Sequence, residues 1–332
     1  MAAIKIKMSP GKSITTPLRD LLNKQEAAVL ITLIVFTSFF YVRNDAMLSS
    51  VTIISILRTM AYPGLIGMGM VLLMITGEID LSTSAVMSLC AVFAAYLMAV
   101  VGWPIWLSVV CALAVAVLVG VVNALVSVKI GVNSLIATIG VGFAARSASY
   151  MFTQGAPVYP LPPEITAFGE LRPLNLSVAF VLLLLLIVVV QIALNWTRFG
   201  AMVFATGGNK TAAEVCGINT SLIKTICFIF TSLLSGCAGL LTMCGLPMPA
   251  GDPIIGRNLE LNIIVGVVLG GVSFFGGRGS AIGTFLGIML MQVIYSGLPI
   301  ARFNPYWQIP ALGMLLIVAA SVDVIRHRKD EK

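Results

Sequence analysis

Long apolar runs broken by short polar islands set the rhythm of this chain. Runs of helical length recur near 26–42, 51–75, 84–101, 104–128, 133–153, 176–195, 222–245, 262–275, 281–298 and 308–325. A hydrocarbon core about 30 Å thick takes roughly 20 residues of helix. The pattern therefore predicts an all-α, polytopic membrane protein with about ten transmembrane helices. The eighth run, NIIVGVVLGGVSFF, is short for a full span. It is expected to be tilted, broken or re-entrant and buried against other helices, because lipid leaves irregular backbone unsatisfied. The runs are continuous rather than alternating, which argues against a transmembrane β-barrel. These boundaries give a tail at 1–25, a single transmembrane domain at 26–325 with a polar loop at about 196–221, and a tail at 326–332.

Composition agrees with that pattern and fixes an orientation. Hydrophobic residues make up 59% of the 332, charged residues only 10%, and the mean hydropathy is +1.04; soluble domains carry about 25% charge. With the N-terminus inside and ten helices alternating, the inner segments hold Lys5, Lys7, Lys12, Arg19, Lys24, Lys129, Arg198, Lys210, Lys224, Arg278, Arg326, Arg328, Lys329 and Lys332. The outer segments hold only Arg43, Arg172, Arg257 and Arg302. Positive charge accumulates on the cytoplasmic side, so both termini and the loop at 196–221 are expected there, with 154–174 and 246–260 facing outward. The net charge of +7 follows from this bias without invoking nucleic acid. The polar, basic N-terminus reads as a cytoplasmic tail leading into a retained helix rather than a cleaved signal.

Several chemistries fall away on spacing. The six cysteines lie in or beside apolar runs with no close pair at metal-ligand spacing, and the single histidine, His327, sits in the charged tail; no metal site or histidine-based triad is expected. SPGKS lacks the glycine that a phosphate-binding loop needs five positions before Gly11, where Ile6 stands. Gly140, Gly142 and Ala145 match a dinucleotide fingerprint but sit inside an apolar run with no preceding strand. The pairs Gly266/Gly270 and Gly283/Gly287, with Ser232/Gly236 and Ser235/Gly239, have the spacing that lets helices approach closely. Two arginines fall inside spans. Each costs about 2.5–3.5 kcal/mol at a helix centre, so each should face a pathway, a partner or an interface. For Arg146 the blander alternative is that it lies close enough to a helix end to snorkel. Arg58 is read as deeper, with Pro63 and Gly64 kinking its helix toward a pathway.

Three polar islands carry the remaining signal. In VLLMITGEIDLSTSAVMSL, Glu78 and Asp80 stand two apart at the junction of two spans, followed by Ser82 and Thr83, which are candidates to cap the next helix. The second island, FGAMVFATGGNKTAAEVCGINTSLIKT, places Lys210 and Glu214 at i,i+4 on a short helix that Gly217 can end. In the third, Glu260 precedes a glycine-rich span, and Gly276–Gly277–Arg278–Gly279–Ser280 forms a turn between helices or a backbone cradle for an anion.

The islands together resemble the monosaccharide-type permease family of bacterial ATP-binding cassette importers, the ribose-permease-like group. The matching residues are Gly77-Glu78-Ile79-Asp80-Leu81-Ser82, then Gly207-Gly208-Asn209 with Ala212, Ala213, Gly217 and Ile218, then Gly270, Gly271, Gly276, Gly277, Gly279, Gly283, Thr284 and Gly287. The resemblance runs from about residue 45 to 325. It implies a permease subunit for a small sugar or sugar-like solute in a bacterial inner membrane, not an enzyme in its own right. It also implies a second permease chain, identical or similar, an extracytoplasmic solute-binding protein, and separate ATPase subunits that bind the ATP and Mg. In such a permease Gly208, Asn209, Ala212, Ala213, Glu214 and Gly217 would form the helix that docks into the ATPase, with small alanines allowing close contact. Arg58, Glu78, Asp80 and Glu260 are the pathway or gating candidates. One departure is Glu78, which stands where many relatives have a second glycine. Two other readings remain open: an ion-coupled secondary transporter, and a membrane-embedded enzyme using Glu78 and Asp80 as an acid–base pair. Neither needs a docking helix at 209–218.

Overall fold

The computed structural model describes residues 24–330, and the expectations for tail residues 1–23 and 331–332 lie outside them. Thirteen α-helices are present among the described residues. They are α1 (Lys24–Arg43), α2 (Ser50–Ile75), α3 (Thr83–Ala99), α4 (Ile105–Ala124, continued by a π-turn to Ile130), α5 (Ser134–Thr153), α6 (Pro163–Glu170), α7 (Val178–Trp196), α8 (Arg198–Gly208), α9 (Lys210–Val215), α10 (Thr220–Gly245), α11 (Leu259–Leu269), α12 (Ala281–Ile300) and α13 (Gln308–Asp330).

Every apolar run of the sequence falls on a helix, but only seven of the described helices are long and apolar enough to cross a membrane. The three that fall short are α3, α11 and the apolar part of the last segment, Pro305–Ser321. The short eighth run is the clearest case. Its helix ends at Leu269, where Gly270 and Gly271 turn the chain, and an irregular stretch, Gly251–Asn258, precedes it.

Packing follows the small residues. α2 is buried along almost its whole second half. There Gly64 meets Leu183 of α7, Gly67 meets Ile288 of α12, and Gly69 meets the Thr231 backbone of α10. Three neighbours reach one helix because it offers no side chain at those points. α11 and α12 run antiparallel with glycine against glycine: a methyl group on Gly287 would sit 1.9 Å from the Gly266 carbonyl oxygen, and one on Gly283 would sit 2.1 Å from that of Gly270. The two spaced pairs of the sequence are thus the two halves of one interface. α10 packs on α2, α3 and α4, with Gly236 and Gly239 on that face. α2 runs unbroken from Ser50 to Ile75 with Pro63 inside it.

The bundle has two ends. At one, the turn 76–82, the helices α8 and α9, and the loop 270–280 come together. At the other, α6 lies against the last turn of α10, and Val158 pairs with Gly251 in an isolated bridge.

Candidate functional site

The three polar islands meet at the α8–α9 end. The Gly277 N–H donates to the Ile75 carbonyl at 2.8 Å. A methyl group on Gly276 would lie 3.0 Å from the Gly207 oxygen, the Gly77 nitrogen and the Ile75 oxygen alike. Gly77, Gly276 and Gly277 all have φ between +74° and +82°, a region that side chains rarely adopt. Glycine is required here twice over, by conformation and by the closeness of backbone to backbone.

The turn 76–82 is tied to three further helices. Ile79 and Leu81 donate their N–H groups to Ser134 and Thr138 of α5. Asp80 is fully buried and accepts from the Ser82 N–H at 2.7 Å, the Ser82 hydroxyl at 2.6 Å and Asn123 Nδ2 of α4 at 3.3 Å. Burial pushes its carboxyl up to about 6, against the opposing pull of Ser82 and Asn123. Ser82 occupies the N-cap position of α3, yet its hydroxyl makes no cap bond. It turns back to Asp80 instead, and Thr83 Oγ1 has no partner among the described residues, so the expected Ser/Thr cap does not form. Glu78 pairs with Lys224 of α10 at 2.6 Å, with only 16% and 14% of the two side chains exposed. The two carboxylates thus answer to different partners, Asp80 to its own turn and α4, Glu78 to α10.

α9 stands out from the bundle beside this turn. Asn209 caps it by accepting from the Ala212 N–H at 2.9 Å. At its end Gly217 has φ +82°, and the Ile218 N–H reaches back to the Ala213 carbonyl, which closes the helix in the glycine-terminated manner. Lys210 and Glu214 stand 4.0 Å apart and largely exposed, and the Thr220 hydroxyl donates to Glu214 at 2.7 Å. α9 is thereby tied to the first residue of α10. Ala213 is 4% exposed and packs against its own chain, so only Ala212 of the alanine pair faces outward. The apolar residue that does face outward is Val215, at 83%. Nothing in the composition of the loop distinguishes it; only the helical phase does.

Both intramembrane arginines meet polar partners on other elements, in keeping with their cost in lipid. Arg58 lies in the third turn of α2 and donates to the carbonyl of Gly245, the last residue of α10. It satisfies a helix end at the α6 end of the bundle. Arg146 is the interior one. Its guanidinium donates to the carbonyls of Pro253 and Ile255, each at 3.1 Å, and to the Ser84 hydroxyl at 3.0 Å. Ser88 donates to the Pro253 carbonyl as well. Arg146 therefore pins the irregular stretch that leads into α11. Sequence position alone could not name these acceptors, because they come from a segment more than a hundred residues away.

Glu260 sits in the first turn of α11, beside a cavity of about 530 Å³ that Arg146, Tyr150 and Asn258 also line. Its Oε2 is buried with no hydrogen-bond partner among the described residues. Arg58, Glu78, Asp80 and Glu260 are not brought together. They are distributed along the bundle, from one end through its interior to the other.

Comparison with known proteins matches this architecture. Residues 52–320 fit the family model described as the branched-chain amino acid transport system / permease component. A ribose import permease of Bacillus subtilis (strain 168) is 30% identical, over 84% of this chain and 87% of its own length. A fructose import permease of Rhizobium meliloti is 27% identical over 94% and 89%, and a galactose/methyl galactoside import permease of Escherichia coli (strain K12) is 27% identical over 92% and 96%. No solved structure matches. With the apolar helices described above, these matches make the chain a multi-pass membrane protein that belongs to the monosaccharide-type permease family of ATP-binding cassette importers.

Proposed function

We propose that this chain is the permease subunit of an ATP-driven importer for a small sugar or sugar-like solute, in a bacterial inner membrane. The α8–α9 end faces the cytoplasm, in keeping with the Lys/Arg bias. Separate ATPase subunits, which bind ATP and Mg, dock there on Asn209–Gly217. A solute-binding protein delivers cargo to the opposite end, and a second permease chain, identical or similar, completes the pathway. The pathway and gating candidates have distinct places: Arg58 at the entry end, Glu260 in the interior, and Glu78 and Asp80 in the turn at the cytoplasmic end.

The observation that carries this reading is the exposed, doubly capped α9, seated where the three islands converge. A solvated loop has no need of a cap at both ends, a tie to α10, and a glycine bed beneath it. ATP binding in the partner favours one access state by contacting α9 differently in the two states. No covalent step is required of this chain.

The test uses the face that α9 turns outward. Val215→Asp places a charge where apolar contact is expected and leaves the buried Ala213 untouched. ATPase copurification and solute-stimulated ATP hydrolysis should both fall at least about tenfold, the equivalent of 1.4 kcal/mol. Wild-type levels of both would reduce residues 209–217 to an ordinary loop and remove the coupling assignment.

A further inference from the structure

The cavity beside Arg146 has a chemistry that the coupling end does not use. Its walls are Leu81 of the turn 76–82, Ser84 and Ala85 of α3, α5 from Ile139 to Tyr150, and residues 257–261. The 20 residues of α5 span about 30 Å, the thickness of a hydrocarbon core, and the stretch from Ile139 to Tyr150 leaves out its first five and last three residues. The cavity therefore lies along the membrane-spanning part of α5.

Non-helical backbone survives at that depth only when protein buries it or it lines a water-filled space. Residues 251–258 meet one condition on each side. Inward, Gly251 lies against Ala91 and Ala95, Gly256 lies against Met87, and the Pro253 and Ile255 carbonyls are taken by Arg146 and Ser88. Outward, Arg257 and Asn258 are exposed on the cavity rim. Lipid cannot face that rim cheaply, since a cation at mid-depth costs about 2.5–3.5 kcal/mol. Water or a polar solute can.

The lining offers two kinds of surface. Asn258, Tyr150 and the Glu260 carboxylate supply donors and acceptors, and Glu260 has a carboxylate oxygen with no donor among the described residues. A buried acceptor of that kind lacks its compensating bond until a donor arrives. Phe143, 71% exposed, supplies an apolar face opposite. A pyranose or furanose ring has the same two aspects, hydroxyls at its edge and C–H groups on its face. The volume of about 530 Å³ falls in the range of small-molecule sites, about 300–1,000 Å³.

We propose that this cavity is a mid-membrane binding station for an uncharged, polyhydroxylated solute. Asn258, Glu260 and Tyr150 take its hydroxyls, Phe143 covers its ring, and Arg146 is a positioning residue that holds the wall. The inference rests on the permease reading and deepens it by assigning the solute a place of contact.

Cysteine reactivity in native membranes tests both the water and the ligand. In a background with Cys111, Cys216 and Cys237 replaced, Phe143→Cys and Leu261→Cys place thiols on the cavity, and Leu185→Cys places one on the exposed face of α7. The membrane-impermeant methanethiosulfonate with a trimethylammonium head reacts only where the thiolate is hydrated. Modification at 143 and 261 should run about tenfold or more faster than at 185. Millimolar ribose, fructose or galactose, offered singly, should slow it, and Glu260→Gln should raise the protecting concentration about tenfold. Tyr150→Phe, a milder change, should raise it less.

Equal rates at 143, 261 and 185 would overturn the proposal, as would protection by none of the three sugars. Protection by leucine in preference to them would overturn it too, since a zwitterion would then be the occupant. These outcomes are separable from failure of the permease reading, which is decided by Val215-dependent ATPase copurification and does not involve the cavity.

Discussion

The Glu78–Lys224 pair joins the turn 76–82 to the helix that follows α9. The pair is short, 2.6 Å, and each side chain keeps about one-seventh of its exposure. Exposed pairs contribute about 0–1 kcal/mol, whereas removing one partner from a fully buried pair costs about 3–5 kcal/mol. Residual exposure lets water enter a vacated site, so about 2 kcal/mol is expected for either single neutralisation. The two should not be equal. Lys210 lines the same cleft as Glu78 and Lys224. In Lys224→Met it offers Glu78 a substitute partner, while Glu78→Gln leaves Lys224 without its carboxylate and with a second cation, Lys210, on the same cleft. Glu78→Gln is therefore the more damaging of the two. The double variant leaves no orphaned carboxylate and should recover about 1 kcal/mol relative to the sum of the single losses. The reversed pair, Glu78→Lys with Lys224→Glu, should come closest to wild type. Reversible unfolding of the purified protein in mixed micelles, titrated with a denaturing detergent, measures all five. Strict additivity, or single losses below about 0.5 kcal/mol, would show the pair to be an incidental contact and refute the reasoning.

Two further outcomes follow from the site. Asp80 holds its proton more tightly in the native state, from an ordinary 3.8 up to about 6. Its contribution is thus full below about 4 and is lost as pH rises through about 6, on the order of 3 kcal/mol in all; Asp80→Asn should flatten that part of the stability–pH curve relative to wild type in thermal unfolding between pH 4 and 7. Arg146→Lys keeps the charge but cannot reach three acceptors with the fixed fork of a guanidinium, so labelling of a cysteine at 261 should change rate severalfold while ATPase copurification stays at the wild-type level; an unchanged rate would mean that the wall stands without its clamp.

The apolar pattern made the helices legible because membrane spans are specified by continuous hydrophobicity, and that signal needs no partner. Length sets α3 and α11 apart from the seven longer apolar helices, and the shortness of α11 was readable in its run. Glycine spacing made the α11–α12 interface legible, and the i,i+4 pair and Gly217 made α9 legible, since caps and periodicities are local. The site was legible only in part. Asn123 and Lys224 gave no warning, because a lone polar residue near the end of an apolar run looks like any other helix terminus. Each matters through a partner 43 or 146 residues away. The partners of Arg146 were hidden for the same reason. Its distance from a helix end was readable, but the unbonded carbonyls of 253 and 255 exist only after the chain has folded.

One helix connects what happens at the two ends. α10 begins at Thr220, whose hydroxyl holds Glu214 of α9, and within its first two turns it carries Lys224 to the turn at Glu78. About 39 Å later, by 26 residues at 1.5 Å each, it ends at Gly245, whose carbonyl Arg58 holds. The irregular wall of the cavity follows a few residues on, and Val158 and Arg146 fix it from the other side. No proline interrupts α10, and its glycines, Gly236 and Gly239, are packed tightly against α3 and α4. Kinks arise at prolines, Gly/Ser pairs, bulges or inserted groups; α10 has Ser235 beside Gly236, but Gly236 is held against Ala116 of α4 and Cys90 of α3. Under the proposed coupling, a displacement of α9 would be carried by α10 largely as a body, with its middle held by the packing of Gly236 and Gly239. The contacts able to yield are those at its two ends, the Glu78–Lys224 pair and the Arg58 cap. The first lies in a polar cleft with Lys210, Ser134 and Thr220 close by, and the second is a single side-chain bond to a helix end; such contacts can exchange one arrangement for another while the glycine interfaces stay intact.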